Sequence, residues 1–133
     1  MLKALQQKNK LLPILIKGST LTNVEVDTLL CELEGKKTAK QLKERVALRD
    51  RENITLGAYS RTRRQAYTRI SKALKTLLLL SYLGILTQDR LNTLLKAAEL
   101  LNKIKTTNLT IEDSIKINTL IEETIRSLVV ISQ

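Results

Sequence analysis

The sequence predicts an all-α protein, an antiparallel bundle of about four main helices preceded by an N-terminal arm. Three observations lead there. Strand and turn punctuation is scarce, with 4 glycines and 1 proline in 133 residues, so little divides the chain into short segments. Threonines stand just ahead of apolar runs spaced for one helix face. Aromatic residues are limited to Tyr59, Tyr67 and Tyr82. The core must therefore come from Leu, Ile, Val and Ala, which suits interdigitating helix stripes.

The arm covers residues 1–19 and the bundle residues 20–133. The arm carries Leu2, Leu5, Leu11, Leu12, Ile14, Leu15 and Ile16 with four lysines and no acid. Pro13 interrupts it, and Gly18–Ser19 separates it from the bundle. It reads either as a first helix on its own bundle or as an apolar arm for self-assembly with a neighbouring subunit. The bundle opens at Thr22, where Thr22–Glu25 matches a capping box. Val26, Leu29, Leu30 and Leu33 form its buried stripe, and Gly35 supplies a stop. A second helix is expected from Thr38, boxed with Gln41, to about Glu52, with a loop over Asn53–Ser60. The third and longest runs from Thr62, boxed with Gln65, to Leu83. Its stripe is Ala66, Ile70, Ala73, Leu74, Leu77, Leu78 and Ser81. From Leu77 to Leu80 it is apolar nearly all round, which places that half centrally or against a neighbour. Gly84 fits the left-handed position of a Schellman ending, with Ile85 packing back. Thr87 with Asp89 caps a fourth helix to about Lys105, and Thr110 with Asp113 caps a fifth.

The formal charge of +10 is segregated. Residues 36–75 hold thirteen basic side chains against Glu44, Asp50 and Glu52, which accounts for the entire excess. A concentrated positive field of this kind is the electrostatic footprint of phosphate-backbone binding. The candidate nucleic-acid-binding residues are Lys36, Lys37, Lys40, Arg45, Arg49, Arg61, Arg63, Arg64, Arg69 and Lys72. Such a surface specifies no base sequence and does not separate DNA from RNA; nucleic acid is the expected partner, with double-stranded DNA the favoured form.

Catalytic chemistry is not expected. The chain has no histidine, hence no ordinary base poised near neutrality and no imidazole ligand. Its one cysteine, Cys31, cannot build a zinc site or an internal disulfide and reads as a small buried hydrophobe. The glycines are isolated, so no phosphate-cradling loop exists. Glu112–Asp113 and Glu122–Glu123 are sequence neighbours that splay apart on a helix. No cofactor, metal or small-molecule substrate is expected. The N-terminus makes a poor signal peptide, since Pro13 splits its apolar stretch and no small-residue cleavage site comes after it. Leu77–Leu86, the most apolar stretch, is too short to span a bilayer.

Longer patterns carry two resemblances. Thr38–Ala39–Lys40–Gln41–Leu42, Ser71–Lys72–Ala73–Leu74–Lys75–Thr76–Leu77 and Leu83–Gly84–Ile85–Leu86 together resemble a winged-helix transcription regulator. That likeness would set Arg63, Arg64 and Arg69 at the major groove or phosphates. It departs from the family in a long second connection and in the lack of an alternating strand pair after Leu86. The arm Met1–Lys17, the Arg-rich entry Tyr59–Ser60–Arg61–Thr62–Arg63–Arg64 and the leucine-rich hairpin Ile70–Ile104 resemble the small basic coat proteins of spindle-shaped and tailed archaeal viruses. That bicaudavirus-like group includes an RNA polymerase inhibitor. The resemblance implies a four-helix bundle and a self-assembling virion subunit, made in the host cytoplasm, with its basic face toward nucleic acid. Its inhibitor variant implies a basic bundle that blocks a nucleic-acid channel.

Overall fold

A computed structural model describes residues 1–51 and 53–129. Glu52, the expected end of the second helix, and residues 130–133 of the expected bundle lie outside the described residues. Among the described residues the chain is all helical, with seven helices and no strand. They are α1 (Leu2–Lys8), α2 (Leu11–Lys17), α3 (Asn23–Lys37), α4 (Leu42–Ala47), α5 (Leu56–Tyr82), α6 (Gln88–Ile104) and α7 (Ile111–Val129).

Several helix ends fall where the threonines place them. The Thr22 hydroxyl accepts from the Glu25 amide at 3.2 Å, and the Glu25 carboxylate accepts from the Thr22 amide at 2.9 Å, closing the capping box. Thr87 and Thr110 accept from the amides of Arg90 and Asp113. Gly84 has φ +76°, and the Ile85 amide donates to the Leu80 carbonyl at 3.0 Å, a Schellman ending.

The middle of the chain differs from expectation. α3 does not stop at Gly35 but continues to Lys37, and it ends with Ala39 in the left-handed region at φ +54°. There the Lys40 amide donates to the Gly35 carbonyl at 2.8 Å. Gly35 is buried and serves packing, since a Cβ there would overlap the stem of Arg45. Thr38 caps nothing. Its hydroxyl donates back to the Glu34 carbonyl, and α4 starts four residues later on the Gln41–Glu44 pair. Asn53–Ser60 is not all loop, because α5 begins at Leu56 under a cap from Thr55, whose hydroxyl accepts from the Ala58 amide. Thr62 lies inside that helix, its hydroxyl donating to the Ala58 carbonyl. A threonine mid-helix can satisfy its hydroxyl on the preceding turn, so a Thr-x-x-Gln pattern alone does not fix a start.

The arm folds onto its own chain. Asn9 breaks it into two short helices, its side-chain oxygen accepting from the amides of Leu11 and Leu12 at 3.1 Å. Pro13 falls within the first turn of α2, where a missing amide donor is harmless. α1 packs on α3 and α2 packs on α7. α3 is the hub, touching α1, α4 and α5, while α6 packs on α7. The buried apolar side chains among the described residues are Leu2, Leu11, Ile16, Cys31, Tyr59, Ala66, Leu86 and Leu128, and Glu25, Asp27, Thr28 and Ser114 are buried with them. Burial pushes the Cys31 thiol up to about 11, which suits the inert packing role expected of it.

Candidate nucleic-acid interface

α5 positions the basic residues. Its 27 residues are mostly good helix formers, and between Leu56 and Tyr82 there is no acidic side chain at all. Six cations therefore share one helix with no internal compensation. One face turns inward, where Tyr59 and Ala66 are fully buried and Ile70 is half-buried, a spacing that repeats over two and three turns.

α3 opposes that face with carboxylates. Glu32 receives both Arg45 and Arg63, the latter at 3.2 Å. Arg69 donates to the Thr20 carbonyl at 2.7 Å and stands 3.2 Å from Glu25. Arg49 is buried; its Nε donates to Asp27 at 2.7 Å and its Nη1 to the Thr28 hydroxyl at 2.8 Å. The Asp27 carboxylate also accepts from the amides of Leu2 and Asp50, both at 3.0 Å. Asp50 in turn holds the Lys3 amide at 2.9 Å and the Met1 ammonium at 2.5 Å. Burial alone would raise the Asp27 pKa. The two backbone amides, the Met1 ammonium and Arg49 outweigh it and hold the carboxyl below its ordinary range.

These pairings divide the ten candidate residues. Arg45, Arg49, Arg63 and Arg69 pair with acids of α3; the Arg49 side chain is only 5% exposed, whereas that of Arg69 keeps 48% of its surface open. Sequence reasoning missed this because Glu25, Asp27 and Glu32 lie outside the basic segment that the charge count isolates. Lys36, Lys37, Lys40, Arg61, Arg64 and Lys72 make no ion pair among the described residues. Arg61, Arg64, Thr68, Lys72 and Lys75 lie on the solvent side of α5. Their spacing of i, i+3, i+7, i+11 and i+14 sets them in one stripe on the far side of α5 from Tyr59 and Ala66. At about 1.5 Å per residue the stripe is about 21 Å long. Lys75 belongs to it and was not among the ten; its step of three from Lys72 is the signal that finds it. Lys36 and Lys40 line a shallow groove at the end of α3 that Tyr67 of α5 borders.

The residues expected to assemble subunits are largely engaged within the chain. Leu2, Leu11 and Ile16 are buried, and Leu12, Ile14 and Leu15 lie half-buried on α2, which docks against the chain's own α7, while Leu5 is exposed. Of the two readings of the arm, the structure shows the one in which it packs on its own chain, as a pair of docked helices. Apolar surface lies open elsewhere, at the far end of α5 and along α6 and α7, where Leu78, Leu95 and Leu120 are all more than half exposed.

Among the described residues no group of three His, Cys, Asp or Glu side chains could hold a metal ion, and no helix is long and apolar enough to cross a membrane. No strand follows Leu86 among them; α6 begins at Gln88. Comparison with known protein families, with curated proteins and with solved structures finds no match to this chain.

Proposed function

We propose that the chain is a non-enzymatic, nucleic-acid-binding subunit that grips the phosphate backbone through the cationic stripe of α5. The observation that carries this reading is a 27-residue helix with no acid, whose outward cations have no ion-pair partner among the described residues. Like charges at helical spacing repel and destabilise the helix that bears them, so the stripe is retained against a cost that a polyanion would remove. A stripe about 21 Å long can follow several phosphates, since duplex DNA presents one charge per about 1.7 Å of axis. Tyr67 beside Lys36 and Lys40 adds a face on which an unpaired base could stack.

Coat function in a virion, the use implied by the archaeal-virus resemblance, is the fuller form of this proposal. It requires self-association as well, and a closed four-helix packing would then be completed by contacts between copies. The polymerase-inhibitor role rests on the same stripe. The regulator reading is weaker, since Arg63 and Arg69 are held by Glu32 and Glu25 and no strand pair is present for a wing among the described residues.

The test is duplex DNA binding measured over a range of salt. Changing Arg61, Arg64, Lys72 and Lys75 together to Gln should make the slope of log K against log salt shallower by about 3 to 4, at about 0.9 per lost phosphate contact. Scrambling the duplex sequence should change affinity by only a few-fold. An unchanged slope in the fourfold variant overturns the stripe as the binding surface. A preference for one sequence of about a thousandfold would restore the regulator.

A further inference from the structure

We infer that the far end of α5 is a two-fold contact with a second copy of this chain, the two helices crossing antiparallel about Leu78. Surface area gives the first indication. The chain exposes 9912 Å², whereas a compact monomer of 15.1 kDa should expose about 7,100 Å². The surplus, about 2,800 Å², is several times the roughly 800 Å² that each partner buries in a standard interface.

Part of the open apolar surface gathers at the far end of α5. Leu74, Leu78 and Tyr82 recur at i, i+4 and i+8 on one side of α5, and they are 56%, 70% and 88% exposed. Leu79 and Leu83 widen the patch, both more than half exposed. α6, the next helix, packs on α7 and leaves this patch uncovered. Contiguous apolar surface of this kind marks an interface, and a patch along one helix can meet its own copy under a two-fold axis.

Charge then chooses the direction. The cationic stripe adjoins the apolar one, with Lys72 and Lys75 just ahead of Leu78. A parallel, in-register pair would set each Lys75 beside its own counterpart and both stripes side by side. An antiparallel pair about Leu78 sets Leu74 across from Tyr82 of the second copy. Lys75 then lies near Ser81, Lys72 near Gly84, and no cation faces a cation. The two cationic stripes point away from the contact in opposite directions. One particle therefore carries two phosphate-binding surfaces, which raises its avidity for a long polyanion. The contact supplies the partner that the proposed coat role needs, yet it stands on area and charge placement, and its test contains no nucleic acid.

Sedimentation equilibrium of the full chain should give a particle of twice the 15.1 kDa chain mass. Leu78→Asp, at a side chain already exposed in the single chain, should weaken association by about a hundredfold or more, because two carboxylates meet on the axis. Its helical circular-dichroism signal should be retained. In a Cys31→Ala background, Leu74→Cys mixed with Tyr82→Cys should form an interchain disulfide on oxidation, while Leu74→Cys alone should not. A monomeric wild type, or any assembly that Leu78→Asp leaves intact, overturns the contact. Self-crosslinking of Leu74→Cys overturns its antiparallel sense. The cysteine pairing decides the matter even where Leu78→Asp fails to fold.

Discussion

The two halves of α5 meet opposite surroundings. Its first half faces α3 across Glu25 and Glu32 and buries Tyr59 and Ala66. Its second half leaves Leu74, Leu78, Leu79 and Tyr82 in water. One continuous helix thus links a region closed by its own chain to a region left open. The closed region is organised by charge as much as by apolar burial. Asp27 ties the arm, α3 and the segment after α4 into one knot, and Glu32 joins α4 to α5. The open region has the opposite composition, rich in leucine and poor in partners. Hydrophobicity alone therefore does not locate the core. The most apolar stretch of this sequence, Leu77–Leu86, buries Leu86 yet leaves Leu78, Leu79, Tyr82 and Leu83 more than half exposed.

The largest expected effect breaks the closed region. Asp27→Ala leaves Arg49 buried without its partner and frees the amides of Leu2 and Asp50, which should cost about 3–5 kcal/mol of stability by thermal or urea unfolding. The same carboxyl predicts an acid limit. Its folded pKa lies below the ordinary 3.8, so its contribution is fully present above that value and is lost as pH falls through the lower, folded one. Unfolding should set in below about pH 4 and shift toward neutrality in any variant that weakens the Asp27 contacts. Equal acid resistance in Asp27→Asn and the wild type would break the account of this knot.

A smaller effect comes from Gly35→Ala. The added methyl must displace the Arg45 stem and with it the Glu32 pair, at about 1–3 kcal/mol. Ala39→Gly should act in the other direction. Ala39 sits at φ +54°, and relieving a left-handed alanine should add about 1 kcal/mol, read as a raised melting temperature. The smallest effect sharpens the comparison from the open side. Leu78→Ala should leave the stability of the dissociated chain within about 0.5 kcal/mol of wild type, although leucine truncation in a packed core costs about 2–5 kcal/mol. A loss of core magnitude in dilute solution would move Leu78 into the closed region.

The helical class was legible because scarce glycine and proline and 3.6-residue apolar spacing are local properties. The capping box at Thr22 and the Gly84 ending were legible for the same reason. The false starts at Thr38 and Thr62 show the limit of local reading, since both hydroxyls bond back to the preceding turn instead. The candidate site was legible as a segment and not as a surface. The segment's charge excess is visible in sequence, whereas the pairing of Arg45, Arg49, Arg63 and Arg69 with acids of α3 depends on packing. The arm is a similar case. Its seven apolar residues suit the chain's own bundle and a neighbouring subunit equally until the docking of α1 on α3 and α2 on α7 is known. The all-round apolar stretch at Leu77–Leu80 did offer, in sequence, the alternative of a neighbour, and that alternative now supports the proposed contact.

Native-state hydrogen exchange, followed along the chain at two protein concentrations, tests the division most directly. In dilute solution the amides of α3 and of Tyr59–Ile70 should exchange only through global unfolding, while those of Leu77–Tyr82 and α6 should open locally and much faster. Raising the concentration should slow Leu77–Tyr82 selectively, as a second copy covers it, and leave α3 unchanged. Uniform protection along α5 at both concentrations would contradict the account, because it would mean that the helix is closed along its whole length by its own chain.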